Sequence, residues 1–353
     1  MTRKTSDGSI LDDSGRILYF SLDRFVADIC EGDCCFVCGR TRESTVFNDE
    51  HVLPRWILKQ YSLFDRNITL PNLTGFRYGQ YKVPCCAECN SLMGEMIEKP
   101  VREIVTRGVE AVAEHIESRG AQLFFVWLSI IFFKTHFRDR YFRAQRHING
   151  SGEVIADLYD WSELHHAHCV ARSFYTGAVL TREAFGSFYC LAAKTQSYYE
   201  HFDYMDLWDA KSVLMRLGDV CLISVLNDST AALSKFMPLF ERITGALSPL
   251  QLREVLAHLA YINSTLKERP LFATEVKPDG ESRIVAFLPP AVELEPLQAD
   301  FGEIFYAATF NIVEKLSQPN APAMLEAIRK GQWRFLFDDE GNFIEESVIP
   351  NPV

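Results

Sequence analysis

Positive charge is in short supply in this chain. Its 36 lysines and arginines stand against 47 aspartates and glutamates, a formal net charge of −11. Phosphate-rich partners require an excess of Lys and Arg where they bind, so only a local basic patch can serve them here. Long apolar runs are missing too. The most apolar stretch, LFFVWLSIIFF at 123–133, is shorter than the roughly 20 residues that a membrane helix needs, and the opening MTRKTSDGSILDD has no apolar segment of signal-peptide length. A cytoplasmic address without a membrane partner is the expectation. The chain also has no internal repeat, no low-complexity tract, no Gly-rich phosphate loop and no Gly-x-Ser-x-Gly turn, which removes the common nucleotide-cradling and serine-hydrolase designs.

What is present is a folded chain of 353 residues, 48% hydrophobic and 24% charged, long enough for two or three domains that each bury a core. Ten cysteines are distributed unevenly, with seven of them between residues 30 and 89. Without an export signal such clustering points to metal rather than to disulfides. Cys35-Phe-Val-Cys38 and Cys86-Ala-Glu-Cys89 are two Cys-x-x-Cys pairs, and two thiolates at that spacing in a tight turn can both reach one tetrahedral Zn²⁺. Gly39 helps the first knuckle turn, since it adopts positive φ without steric cost. Cys34 and Cys85, directly before each pair, read as bystanders or structural thiols. Four thiolates close the shell, so this zinc is structural and any chemistry lies elsewhere.

The periodicity is helical at 20–30 (FSLDRFVADIC), again from CNSLMGEMIEK through VREIVTRGVEAVAEHIESRG, and in one long helix from Gln122 to His147. The Gly-rich HINGSGE at 147–153 reads as a linker. Beyond it, Gly218-Asp219 closes a hairpin between SVLMRL and VCLISVL, and Lys277-Pro278-Asp279-Gly280 closes another. Ser248, Pro249 and Gln251 open a helix with a capping box, and WRFLFDDEGNFIEES reads as one more hairpin. The organisation expected is α+β: a cysteine-rich domain at 1–100, a helical connector at 101–150 and an α+β region at 151–353. The window 134–147 carries Lys134, Arg138, Arg140, Arg143 and Arg146 with interleaved aromatics, either a nucleic-acid contact or the solvated end of a helix. His165-His166-Ala-His168 reads as a surface or partly buried cluster rather than a metal site, and YYEHFDYMDLW at 198–208 as core.

Between the knuckles stands Asn48-Asp49-Glu50-His51-Val-Leu-Pro54, and Asn90 follows Cys89 directly. The order Cys-x-x-Cys, acidic-His-apolar-apolar-Pro, Cys-x-x-Cys-Asn over residues 33–99 resembles the HNH endonucleases, whose ββα-metal fold sets a hairpin and a helix around one catalytic divalent cation. The resemblance implies that His51 is the general base, that Glu50 and Asn90 hold Mg²⁺ or Mn²⁺, and that the product carries a 5′-phosphate. Asp49 alternates onto the same strand face as His51 and is the rival ligand. Tyr81 stands where many members carry a bracing Asn, and an inserted segment, RWILKQYSLF, reads as a short helix, with Asn67 and Asn72 as alternative braces. The expectation is therefore a metal-dependent nuclease acting on DNA. Its remaining residues would recognise substrate or answer a regulatory protein or small-molecule trigger, as in bacterial anti-phage defence. A non-catalytic zinc-stabilised interaction or nucleic-acid-binding module is the alternative.

Overall fold

The computed structural model of the chain describes residues 2–145, 152–295, 300–316 and 320–345. The linker expected at 147–153 falls outside these but for its last two residues. The chain mixes helix and strand and forms two compact units, neither of them continuous: residues 1–103, 126–184 and 272–285 make the first, and 104–125, 185–271 and 286–353 the second. The boundary expected near 100 falls close to the division after residue 103, whereas the one expected near 150 falls inside the first unit.

The first unit opens with a small antiparallel sheet, β1 (Arg3–Lys4), β2 (Ile10–Leu11) and β3 (Ile17–Tyr19). Helix α1 (Leu22–Arg24) then runs on into a π-helical stretch, Phe25–Cys30. Strand β4 (Phe47–His51) pairs antiparallel with β7 (Lys82–Cys86), Glu50 lying opposite Val83 and His51 opposite Lys82. The insert between them folds as α2 (Arg55–Gln60) and a hairpin of β5 (Asn67–Thr69) and β6 (Gly75–Arg77). After β7 come α3 (Ala87–Met93), a π-helical stretch at Gly94–Glu98 and α4 (Lys99–Val105). The unit is completed by α7 (His165–Ala171), α8 (Ser173–Thr176) and β8 (Val179–Leu180), which pairs in parallel with β14 (Ser282–Phe287), the partner of β13 (Leu271–Val276).

Helix α6 (Gln122–Asp139) is buried on every side from Phe124 to Phe137, as a helix without a polar face must be. Phe133 packs its ring against Phe25, Phe36 and Phe137, which ties the first knuckle and the π-helical stretch to one aromatic core. The helix stops at Asp139, short of the expected His147. Arg140 turns inward there. Its guanidinium donates to the carbonyl oxygens of Ile29 and Gly32, both at 2.8 Å, and to that of Cys30. These are the open carbonyls at the end of the π-helical stretch, which a buried cation caps. Among the described residues no single helix is long and apolar enough to cross a membrane.

In the second unit, α5 (Val109–Arg119) packs on β9 (Phe188–Ala192) of an antiparallel sheet ordered β10 (Phe202–Leu207), β11 (Ser212–Leu217), β12 (Val220–Val225), β9. Strands β11 and β12 are buried along their whole length, and Gly218 takes φ +68° at the turn between them, as expected for a hairpin of this chemistry. Helix α9 (Ala231–Phe240) and α10 (Pro249–Ser264) cover the sheet, and the capping box is formed: the Ser248 amide donates to Gln251 Oε1 at 2.9 Å and the Gln251 amide to Ser248 Oγ at 3.3 Å. Leu214, Ile223, Leu252, Val255 and Leu256 meet in this core. Helices α11 (Phe301–Leu316) and α12 (Ala321–Arg329) form a second cluster with α10 through Phe305, Ala308 and Ile328. Tyr199, Phe202 and Tyr204 are buried but Tyr198 is 70% exposed, so the core reading of 198–208 holds only in part. The expected C-terminal hairpin is present in short form: Phe337 bridges Phe343, the Asp338 amide donates to the Asn342 carbonyl at 3.0 Å and the Ile344 amide to the Leu336 carbonyl at 2.9 Å.

Candidate metal centre and the adjoining hairpin

The knuckle at 35–39 turns because Gly39 holds φ +74°, and its amide closes onto the Cys35 carbonyl at 2.8 Å. The second knuckle is the corner where β7 becomes α3, and the Cys89 amide donates to Cys86 Sγ at 3.4 Å. Pairing of Phe47 with Cys86 sets the register that brings the two together. The result is a buried group of four cysteines, Cys35, Cys38, Cys86 and Cys89, whose sulfurs all lie within 4.8 Å of one another. Sulfurs about 2.3 Å from a shared tetrahedral centre stand on the order of 3.8 Å apart. Cys38 Sγ and Cys86 Sγ are 3.7 Å apart. The donor set therefore suits a metal ion such as zinc. Cys85 Sγ lies 3.8 Å from Cys35 Sγ but is not one of the four, and Cys34 is half-buried outside the group.

Electrostatics favour a cation here. Its neighbours Cys38 and Cys85 push the Cys35 thiol up to about 12, and Cys86 and Cys89 are also held above the ordinary range, chiefly by Cys35. Cys38 is held far below that range by hydrogen bonds from Cys35 and Cys89, with help from Arg40. Crowded thiols thus ionise one at a time unless a divalent ion offsets their repulsion. Arg40 supplies part of that offset. Its Nε donates to Cys38 Sγ at 3.4 Å and its Nη2 to Cys86 Sγ at 3.9 Å, while the same group pairs with Glu88. Sequence reading passed over Arg40, although an arginine two residues beyond a Cys-x-x-Cys is a visible signal.

The first knuckle is also held from α7. His168 Nε2–H donates to the Phe36 carbonyl at 2.6 Å, and the buried Arg172 donates to the carbonyls of Val37 and Ile17. Burial keeps His168 well below its ordinary pKa, hence neutral. His166 stacks on Phe272 with ring centroids 3.6 Å apart. The contacts of the histidine cluster are thus those of packing and bracing.

Next to the centre, the β4–β7 hairpin presents the expected catalytic residues. His51 closes β4, buried, its ring edge-on to Phe64 with centroids 5.9 Å apart. Burial, and after it the Lys82 charge, holds the imidazole below its ordinary pKa. Glu50 does not face an open cation position: its Oε1 accepts from Lys134 Nζ at 2.9 Å. The same fully buried ammonium donates to the His51 carbonyl at 2.9 Å and lies 3.6 Å from Glu98 Oε1. Asn90 Nδ2 donates to Asn48 Oδ1 at 2.9 Å. Asp49 is exposed, 3.9 Å from Lys82 Nζ. Among the described residues, Glu50 and His51 belong to no set of three His, Cys, Asp or Glu ligand atoms.

Two of the expected nucleic-acid contacts are corrected. Lys134 and Arg140 are buried and bonded inside the first unit, so neither can reach a phosphate chain. Arg138 is half-buried over the rings of Phe76 and Phe142, Arg143 is exposed, and Arg146 lies outside the described residues. Tyr81 does brace the hairpin, though as a tyrosine: its hydroxyl donates to Asp139 Oδ1 at 2.5 Å, and its carbonyl accepts from the Val52 amide at 2.9 Å. Asn72 instead donates to the Arg143 carbonyl and caps Thr74, and Asn67 sits on the β5–β6 hairpin. Compared with known proteins, the chain matches no family model, no curated protein and no solved structure.

Proposed function

We propose that the chain is a metal-dependent endonuclease of the HNH type, hydrolysing phosphodiester bonds of nucleic acid, DNA in the first instance. The observation that carries the reading is an antiparallel hairpin followed directly by a helix, β4–β7–α3, clamped at its base by four thiols, with His51 ending the first strand and Asn90 on the helix. His51, neutral at physiological pH, is suited to take a proton from water, whose oxygen then attacks phosphorus while the 3′-oxygen leaves. A divalent cation, when bound, would stabilise the charge on that leaving oxygen. With Glu50 held by Lys134, the exposed carboxylate of Asp49 takes the acidic ligand's part, and Asn90, whose Nδ2 is on Asn48, offers its Oδ1. Glu50 is then a positioning residue.

Plasmid nicking with Mg²⁺ or Mn²⁺ tests this. Wild type should nick, with a rate that rises with pH and levels off below the ordinary histidine pKa, because burial and the Lys82 charge depress the His51 imidazole. His51→Ala should lose at least about a hundredfold, the usual scale of a general-base contribution, and Asp49→Asn should lose nicking through weaker hold on the cation. One observation favours a second reading, a zinc-stabilised module without catalysis: the Lys134 ammonium occupies the carboxylate next to His51. Nicking that is absent, or unaffected by His51→Ala, selects it.

A further inference from the structure

The first unit contains a cleft of about 510 Å³ lined by Arg55, Trp56, Lys59, Gln60 and Arg102. Its lining is unusual for so acidic a chain, since three of the five side chains are cations and none is an acid. Helical spacing produces it: Arg55 and Lys59, and likewise Trp56 and Gln60, are i,i+4 pairs on α2, and Arg102 comes from α4. Arg55 and Lys59 are exposed and form no salt bridge among the described residues. Arg102 is exposed as well.

Trp56 adds an aromatic side chain to this lining, while its indole Nε1–H is closed off from water. The cleft is also close to the candidate base. Arg55 follows His51 by four residues, at most about 14 Å of extended chain, and its charge is among those that depress the imidazole. Successive phosphates of one strand rise by roughly 3.4 Å each in a duplex, so this reach spans only a few nucleotides.

We infer that this cleft binds the phosphodiester backbone of a nucleic-acid strand, Arg55, Lys59 and Arg102 pairing with successive phosphates. It replaces the 134–146 window as the chain's basic contact. The inference rests on the nuclease reading only for which strand is bound, the one whose scissile bond meets His51; binding itself needs no cleavage.

The test is fluorescence anisotropy of a labelled duplex and a labelled single strand, from 50 to 200 mM NaCl without added divalent cation, on the full chain. Each phosphate contact contributes about 0.9 to the slope of log K against log salt for a duplex and about 0.7 for a single strand. The triple variant Arg55→Gln, Lys59→Gln, Arg102→Gln should therefore flatten the slope by roughly 2 to 3 and weaken binding at low salt more than tenfold. Removing the exposed cations Lys277 and Arg283 from the β13–β14 hairpin should change neither quantity. The inference is overturned if wild type does not bind at the lowest salt, or if the triple variant binds with unchanged slope. His51→Ala separates the two claims. Binding retained by a wild type that never nicks sinks the nuclease and leaves the cleft standing, whereas nicking undiminished in the triple variant does the reverse.

Discussion

A fully buried ammonium is tolerable only where carboxylates meet it, and Lys134 meets two. Burial alone would lower its pKa, but Glu50 and Glu98 more than offset this and hold the group above its ordinary value. Glu98 bears the complementary strain. Burial pushes it up to about 7, against the pull of Lys134 and with a further push from Glu50. Its folded pKa exceeds the unfolded one, so the folded state holds more protons between about pH 4.5 and 7, and the contribution to stability is full below that window and lost as pH rises through it. Lys134→Met leaves both carboxylates without a cation, and removing one partner of such a buried group costs about 3–5 kcal/mol. Urea unfolding should show that loss, larger at pH 8 than at pH 5, where Glu98 is protonated. Since Lys134 also holds the His51 carbonyl, any nicking should fall with it.

At the scale of elements, the four-cysteine group is the clamp between the first knuckle and the corner where β7 becomes α3, beside the β4–β7 pairing. Neither strand is longer than five residues, and a two-stranded hairpin is at best marginal in water without further support. Cys89→Ser, or dialysis against a strong zinc chelator, should therefore lower the thermal midpoint by roughly 10 °C or more, since structural zinc contributes folding free energy directly. Elemental analysis should find one zinc per chain in wild type and less in the variant. The clamp was legible in the sequence because the Cys-x-x-Cys spacing alone fixes which sulfurs can meet. The capping box at Ser248 and the turn at Gly218 were legible for the same reason, the chemistry lying within four residues. The end of α6 was not. Arg140 stops the helix by turning to carbonyls some 110 positions earlier, and no local pattern announces a partner so distant. The Glu50 carboxylate was misread likewise, because the cation that claims it is 84 residues away. Strands β1 to β3, of two or three residues each, are too short for their periodicity to register.

For the whole molecule, the telling feature is that each compact unit is assembled from three separated segments. The fragment 1–150, which composition and linker chemistry mark as a domain with its connector, lacks α7, and with it the His168 and Arg172 side chains that hold the first knuckle, and β14, the partner of β8. Expressed alone it should lack the dispersed methyl resonances and cooperative melting of a packed core. A fragment with sharp spectra and one bound zinc would contradict the division. The acidic balance of the chain belongs to this scale as well, so a polyanion could be met only at a local cation cluster such as the one proposed on α2.

The threading of the chain has a temporal corollary. A ribosome making this protein releases His51 and both knuckles early, but the last strand that the first unit needs ends near residue 285. Until then the nascent chain carries its candidate reactive residues in an unfinished scaffold. The scaffold around the hairpin is complete only once the chain has been made past residue 285.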